Sequence, residues 1–221
     1  PVVVAPRGLA LGGGCEAVMH GDAVRASAES YIGLVELGVG VIPAGGGCKE
    51  MAFRFYGSIP EGVKADLFPF MEKMFMTVGT ATVSTSAEEA KPLGFLRRTD
   101  RITLNPDAVL ADAKADVLAL AQMGYQPPAR FSVPVPGTTG IAALKVGVHG
   151  MRQGGYLSDY DEHLGTVLAT VLCGGEVAAG TLLSEQDFLD LEREAFVNLC
   201  REQKTIDRIL HMLETGKPLR N

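Results

Sequence analysis

A run of three glycines followed by cysteine and glutamate, residues 12–16, constrains the fold of this chain more than any other stretch. The run follows an apolar segment at residues 2–5 and precedes another at residues 17–19. Consecutive glycines allow positive φ angles and let backbone N–H groups approach a ligand closely. The pattern predicts a strand, a tight turn and a helix with Glu16 in its first turn. Such a turn is suited to stabilising negative charge that develops on an oxygen atom.

A second glycine cluster repeats this layout at residues 45–47. A short strand is predicted at residues 23–26 and an extended stretch at residues 31–36, which ends on Glu36. The helix that follows the cluster is predicted from Cys48 onward. Repeated units of strand, glycine turn and helix predict a layered β/α structure with ligand chemistry at the turns.

The rest of the chain is predominantly helical in pattern. Apolar residues at helical spacing in residues 67–75 predict a packed core or a subunit contact. An exposed strand is predicted at residues 97–103 and a surface linker at residues 126–137. Capping residues and apolar stripes predict helices that start after Ser86, Asn105, Ser158 and Ser184, and a further helix at residues 138–153. The last helix spans residues 185–214, with a break near Gln203.

Composition excludes several classes of protein. The net charge of −6 and the absence of a long Lys/Arg cluster argue against nucleic-acid binding. No run approaches the roughly 18 apolar residues of a membrane span, which predicts a protein without one. The four cysteines are widely spaced and form no CxxC pair, so we expect reduced thiols and a cytoplasmic location.

Common site motifs are also missing from the sequence. The glycine runs match neither the dinucleotide fingerprint nor the phosphate-binding P-loop pattern. The four histidines are scattered and predict no metal site, and the acids at residues 159–162 suit the first turn of a helix. Cys15 could be a thiolate at a helix N-terminus, but without a nearby histidine a small buried residue is the favoured interpretation.

Glu16 and Glu36 form the more promising constellation. Each is an acid in an otherwise apolar neighbourhood, next to one of the two glycine clusters. Carboxylates in such positions often have a chemical role. On chemistry alone, an acid–base pair and two exposed carboxylates near helix starts remain equally open interpretations.

Residues 1–54 resemble the crotonase (enoyl-CoA hydratase) superfamily in several spaced motifs that occur in the family's order. The motifs are A-L-G-G-G-C-E at residues 10–16, D-A-V-R-A-S-A at residues 22–28 and E-L-G-V-G-V-I-P-A-G-G at residues 36–46. Residues 84–90 together with Gly94 also fit the helix that follows the family's core. One departure is Val35, where hydratases usually have proline, and it could shift the following carboxylate slightly.

The resemblance implies an α/β fold, a crotonase-like ββα spiral whose N-terminal part is missing, followed by a helical C-terminal region. We expect the core at residues 1–100 and the helical region at residues 101–221. Residues 100–221 resemble the tail of bacterial fused proteins that carry 3-hydroxyacyl-CoA dehydrogenase first and a crotonase region last. The abrupt start in an apolar strand then indicates a piece of a longer polypeptide. An upstream dehydrogenase domain would use NAD, whereas this chain would need no cofactor and would form homo-oligomers.

The resemblance also implies an enoyl-CoA hydratase of fatty-acid β-oxidation, which adds water to trans-2-enoyl-CoA, an acyl-CoA thioester, to give 3-hydroxyacyl-CoA. The backbone N–H of Gly13 would be one oxyanion-hole donor, and Glu16 and Glu36 would be the two catalytic glutamates. The other residues implied to bind substrate lie around the two glycine clusters: Leu11, Gly12, Gly14, Pro43 and Gly45. No metal is implied.

Two alternatives remain. Relatives that only isomerise double bonds generally keep the Glu36-type acid without the Glu16 type, so the presence of both favours hydration over isomerisation or another crotonase-type reaction. The chain could instead be a non-catalytic assembly module of the dehydrogenase. We expect these 221 residues alone to bind acyl-CoA poorly and to turn over slowly or not at all, because the family's second oxyanion donor and most of its CoA-contacting loop come from the N-terminal portion.

Overall fold

The computed structural model describes residues 1–60 and 62–221. Its strands are β1 (Val3–Val4), β2 (Leu9–Leu11), β3 (Ala23–Ser27), β4 (Tyr31–Gly33), β5 (Arg101–Thr103), β6 (Val133–Pro134) and β7 (Leu182–Leu183). Its helices are α1 (Gly13–Met19), α2 (Gly47–Tyr56), α3 (Phe68–Gly79), α4 (Ala87–Ala90), α5 (Val109–Gln122), α6 (Gly137–Gln153), α7 (Asp159–Leu172), α8 (Glu185–Leu199) and α9 (Gln203–Thr215). A 3₁₀ turn at Glu36–Val39 lies between β4 and α2.

The described residues form two compact units. The first consists of Pro1–Leu34 and Thr82–Arg130, and the second of Val35–Ala81 and Phe131–Asn221. Each unit is therefore built from two separate stretches of chain. The predicted boundary between residues 100 and 101 is a different division and stays a prediction.

Parallel strands stack in register in the first unit. β1 pairs with β3 and β3 with β5, with Val3 opposite Ala23 and Arg25 opposite Arg101. β2 pairs with β4, with Leu9 opposite Tyr31. Successive passes of the chain thus add strands to two parallel stacks, one of three strands and one of two, which is the layout of a ββα spiral.

Helices and buried side chains complete the first unit. α1 packs against β2, α4 against β4, and α5 against β3 and β1. The apolar side chains of Val24, Ile32 and Phe95 are at most 1% exposed. Gly33 is required at the end of β4, because a Cβ there would lie 2.7 Å from the Thr82 carbonyl oxygen.

The second unit is mainly helical. α6 and α7 pack along each other, and α2 contacts α3, α7 and α8. β6 and β7 form a short antiparallel pair beside α2. The buried side chains of Met71 and Met74 on α3 and of Leu164 and Leu168 on α7 form its core, and α9 contacts the 3₁₀ turn.

Most predicted helices are confirmed, including the C-terminal pair that breaks near Gln203. Ser158 and Ser184 each accept a hydrogen bond from the backbone N–H three residues later, in complete capping boxes. The box at Ser86 is half formed: its side chain caps the helix, but the Glu89 carboxylate accepts from Thr85 instead.

Four local predictions were wrong. The exposed strand predicted at residues 97–103 is a strand only at Arg101–Thr103, and it ends on the buried Thr103. The extended stretch at residues 31–36 ends at Gly33, and Glu36 begins the 3₁₀ turn. The helix predicted after Asn105 begins at Val109, because the Asn105 side chain accepts a hydrogen bond from the Asp107 N–H in a preceding turn. The predicted linker at residues 126–137 contains β6.

Two chain-wide findings bear on the composition analysis. No disulfide joins any two of the four cysteines, all of which lie in the described part of the chain. Within residues 1–60 and 62–221, no helix is long and apolar enough to cross a membrane.

Candidate active site

Gly12 forms the tight turn between β2 and α1. Its φ of 56° and ψ of −125° lie in a region that glycine adopts readily and that residues with a Cβ atom strongly disfavour. The Gly12 N–H donates to the Gly33 carbonyl oxygen at 2.9 Å, and the Gly12 carbonyl accepts from the Glu16 N–H at 3.0 Å. The turn therefore joins the end of β2 to β4 and starts the helix that carries Glu16.

The beginning of α1 presents exposed backbone beside a carboxylate. Gly13 and Gly14 are both exposed, while Cys15 is fully buried behind them. A Cβ on Gly14 would meet nothing within 4 Å, and one on Gly13 would meet only Glu16 Oε2, at 4.0 Å. The first N–H groups of an α-helix have no acceptor inside the helix. A ligand can thus reach the Gly13 and Gly14 amides beside the half-buried Glu16.

Glu36 is held by the 3₁₀ turn of the second unit. The turn is closed by hydrogen bonds from the Gly38 N–H to the Val35 carbonyl at 3.0 Å and from the Gly40 N–H to the Leu37 carbonyl at 3.1 Å. Gly40 ends the turn with a left-handed φ of 83°. Both carboxyl oxygens of Glu36 are shielded from solvent although the residue as a whole is only half-buried.

Helix α9 contacts the end of this turn directly. The Thr205 hydroxyl donates to the Gly40 carbonyl oxygen at 2.5 Å. A Cβ on Gly40 would lie 3.0 Å from Thr205 Oγ1 and 3.2 Å from Arg208 Cδ, so only glycine fits without displacing the helix. The hydroxyl of Tyr160 on α7 lies 2.6 Å from Thr205 Oγ1. Thr205 is fully buried, so the contacts that link Tyr160, Thr205 and Gly40 lie in the interior beside the Glu36 turn.

The second glycine cluster opens α2 as predicted, and its helix start is capped by a distant side chain. Glu192 of α8 accepts hydrogen bonds from the Gly46 N–H at 2.6 Å and from the Lys49 N–H at 3.0 Å. Glu192 is 0% exposed. Pro43 is buried and Gly45 is exposed in the preceding loop.

A cavity of about 440 Å³ lies beside the Glu36 turn within the second unit. Leu37 and Gly38 of the turn line it together with Phe75 and Met76 of α3. Its remaining wall comes from α6, α7 and α9 and from residues 218–220, and includes the paired Asp161 and Arg208. The lining is largely apolar, which suits a hydrocarbon chain.

The predicted site residues fall into two groups. Leu11 through Glu16 lie together in the first unit, at the end of β2 and the start of α1. Glu36, Pro43 and Gly45 lie together in the second unit, between the 3₁₀ turn and α2.

Sequence reasoning missed two buried polar residues that support the second group, Thr205 and Glu192. Both occur in amphipathic helices among charged residues, where nothing local distinguishes a buried polar group from an exposed one. Their partners are 165 and 146 residues away in sequence, so no local pattern could have identified them.

The described residues offer little support for a metal site or for a nucleophilic Cys173. No group of three or more His, Cys, Asp or Glu side chains there could hold a metal ion. Burial raises the pKa of the Cys173 thiol to about 12, so this cysteine stays protonated and is a poor nucleophile.

Comparisons with known proteins agree with this architecture. The chain is 44% identical over 221 residues to "Probable 3-hydroxyacyl-CoA dehydrogenase" of Bacillus subtilis (strain 168), which covers all of the chain and 27% of that protein. It is 42% identical over 52 residues to "Short-chain-enoyl-CoA hydratase" of Clostridium acetobutylicum, covering 24% of the chain and 20% of the relative. The chain spans about a quarter of the length of the Bacillus protein. No sequence-family model matches the chain.

Solved structures share its fold. A carnitinyl-CoA hydratase from Mycobacterium avium superposes with a TM-score of 0.52 at 17% identity, covering 96% of this chain and 59% of that structure. The expected α/β crotonase-like fold is thereby confirmed. The chain therefore has a crotonase-like fold, and it is similar along its whole length to part of the "Probable 3-hydroxyacyl-CoA dehydrogenase" of Bacillus subtilis.

Proposed function

We propose that this chain is the enoyl-CoA hydratase part of a fatty-acid β-oxidation enzyme, which adds water to a 2-enoyl-CoA thioester. The observation that carries the proposal is the Gly12 turn, after which the exposed residues Gly13 and Gly14 begin α1 beside Glu16. In this proposal Glu36, whose carboxyl oxygens are shielded from solvent, is the second acid. The partial match to a short-chain enoyl-CoA hydratase supports the same reaction.

Conjugate addition of water builds negative charge on the thioester oxygen. In the proposed reaction the Gly13 N–H donates a hydrogen bond to that oxygen as the enolate forms. A preorganised donor of this kind stabilises the transition state by roughly 3–4 kcal/mol. The amide is most effective when its geometry is fixed before substrate binds, and the Gly12 hydrogen bonds to both β4 and α1 serve that purpose.

The two glutamates divide the proton transfers between them. One carboxylate removes a proton from water as the oxygen bonds to C3, and the other carboxyl group delivers a proton to C2. The water hydrogen and hydroxyl are both accounted for in the 3-hydroxyacyl product, and no redox partner is needed. General acid–base catalysis of this kind contributes about 10²–10⁴-fold to a rate.

The cavity beside the Glu36 turn would receive the acyl chain. Its apolar walls match a hydrocarbon tail, and Leu37 and Gly38 link it directly to the turn that holds the acid. We further propose that the complete polypeptide also carries an NAD-dependent 3-hydroxyacyl-CoA dehydrogenase, because the Bacillus subtilis relative that matches the whole of this chain is named a probable 3-hydroxyacyl-CoA dehydrogenase. Hydration produces the 3-hydroxyacyl thioester that such a dehydrogenase oxidises.

Glu16→Gln tests the reaction type in the complete polypeptide that carries these 221 residues. Hydration of crotonyl-CoA and of a longer 2-enoyl-CoA is followed by loss of enoyl absorbance, and double-bond isomerisation is measured in parallel with a 3-enoyl-CoA. We expect hydration to fall by about 10²–10⁴-fold. Glu29→Gln, at an exposed turn next to β4, is the matched control and should keep the full rate.

Two outcomes would overturn this assignment. Loss of hydration with full isomerisation, in a wild type that performs both, would favour an isomerase that keeps only the Glu36-type acid. A folded wild type with neither activity would favour a non-catalytic assembly module of the dehydrogenase.

A further inference from the structure

Helix α9 departs from the usual amphipathic pattern, because its most deeply buried residues are polar. Its buried residues are the polar Thr205 and Arg208, whereas Leu210 and Leu213 are 51% and 77% exposed. Burying polar groups costs free energy unless hydrogen bonds compensate, and exposing leucine forgoes a hydrophobic gain. Ile206, Ile209 and Met212 are half-buried on the same helix, so its orientation depends on the polar contacts of Thr205 and Arg208 in addition to apolar burial.

Arg208 provides the anchor of that polar face. Its guanidinium contacts Asp161 Oδ1 at 2.8 Å, and its Nε donates to Asn221 Oδ1 at 2.8 Å. The guanidinium carbon also lies 5.1 Å from the centre of the Tyr160 ring. Asp161 is itself fixed, because it completes the Ser158 capping box at the start of α7. These contacts fix α9 along and around its axis relative to α7.

Thr205 transmits that position to the Glu36 turn. Its hydroxyl has one proton, which it donates to the Gly40 carbonyl, so the Tyr160 hydroxyl must donate to Thr205. The resulting chain runs from Tyr160 through Thr205 to the backbone that closes the turn. Gly40 packs so closely against Thr205 that there would be no room for a Cβ atom, so we expect a shift of α9 to displace the turn.

We infer that Thr205, supported by Tyr160, is a positioning residue that holds the Glu36 carboxyl in place for hydration. The inference rests on the proposed function for its kinetic consequence. The structural part of the inference does not depend on that function. It states that the hydrogen bonds from Tyr160 to Thr205 and from Thr205 to Gly40 restrain the segment 36–41. Misplacing a reacting group by about 1 Å can slow an enzyme by about 10²-fold.

Thr205→Val tests the inference in the complete polypeptide, because valine keeps the shape of threonine and removes the hydroxyl. We expect kcat for 2-enoyl-CoA hydration to fall about tenfold to a hundredfold and KM to change less than kcat, because only Leu37 and Gly38 of the cavity lining belong to the restrained segment. Thr205→Ser should recover most of kcat, because serine restores the donor. Tyr160→Phe should give a smaller loss, since Thr205 can still donate to Gly40.

Thr215→Val is the matched control. Thr215 lies on the same helix, but its hydroxyl donates to the His211 carbonyl in an exposed position. This variant should keep the wild-type kcat. A folded Thr205→Val protein with wild-type kcat, or a Thr205→Ser protein as slow as Thr205→Val, would overturn the inference.

Hydrogen–deuterium exchange separates this inference from the proposed reaction. Amides of residues 36–41 should exchange faster in Thr205→Val and Tyr160→Phe than in wild type, with wild-type exchange restored in Thr205→Ser. Unchanged exchange in both hydroxyl-deletion variants would overturn the positioning role whatever the activity. Full hydration by Glu36→Gln together with faster exchange in Thr205→Val would refute the proposed function and retain the restraint. If Thr205→Val fails to fold, Tyr160→Phe with wild-type kcat and exchange would overturn the inference.

Discussion

Glu192→Gln should destabilise the start of α2. The buried carboxyl group accepts from two backbone amides, those of Gly46 and Lys49, through different oxygens. Glutamine offers one oxygen and one NH₂ group, so one amide loses its acceptor and faces another donor. A buried donor without an acceptor costs about 1–3 kcal/mol, and loss of a helix cap costs about 1 kcal/mol. We expect the free energy of unfolding to fall by about 2 kcal/mol.

Thermal unfolding of the complete polypeptide, followed by far-ultraviolet circular dichroism, measures this effect. A loss of about 2 kcal/mol corresponds to a decrease of about 4–8 °C in the midpoint for a folding unit of this size. Glu194→Gln is the control, because Glu194 is exposed on the same helix and should leave the midpoint within about 1 °C. Equal midpoints for wild type and Glu192→Gln would refute the argument that this carboxyl group caps α2.

Two further substitutions test local features. Gly12→Ala places a side chain in the turn with φ of 56° and should lower the free energy of unfolding, measured in urea, by about 1–3 kcal/mol. Gly147→Ala in α6 is the control and should not destabilise the protein, because a Cβ there meets nothing within 4 Å. An equal effect of the two substitutions would contradict the strain at Gly12. Hydrogen bonds from Arg25 lower the pKa of the Asp116 carboxyl group, although partial burial acts in the opposite direction. The ionised Asp116 therefore stabilises the folded protein at pH values above its ordinary pKa of 3.8, and this stabilisation is lost as the pH falls through the lowered pKa. Asp116→Asn should therefore be less stable than wild type at pH 7, with a difference that shrinks below about pH 4, and a difference independent of pH would refute this.

Local chemistry explains which elements the sequence could predict. The capping boxes at Ser158 and Ser184 are formed by residues three positions apart, so their helix starts followed from the sequence alone. The turn at Gly12 was predictable because only glycine adopts its φ and ψ readily. The helix after Asn105 was placed three residues too early, since the same side chain can cap a helix or close a turn.

Long-range contacts explain what the sequence could not predict. The 3₁₀ turn at Glu36 depends on Gly40 packing against Thr205, which lies 165 residues later in the chain. The same holds for Glu192, whose role depends on a helix start 146 residues earlier. The candidate acids could therefore be named from sequence, but the polar network that holds one of them required the folded structure.

The most direct test of the proposed reaction is the rate of crotonyl-CoA hydration by the Glu36→Gln variant of the complete polypeptide. The substitution keeps the size of the side chain and removes its capacity to exchange a proton with water or substrate. The proposal predicts a loss of about 10²–10⁴-fold in kcat relative to wild type, with the folded structure intact by circular dichroism. A folded variant that hydrates crotonyl-CoA at the wild-type rate would contradict it.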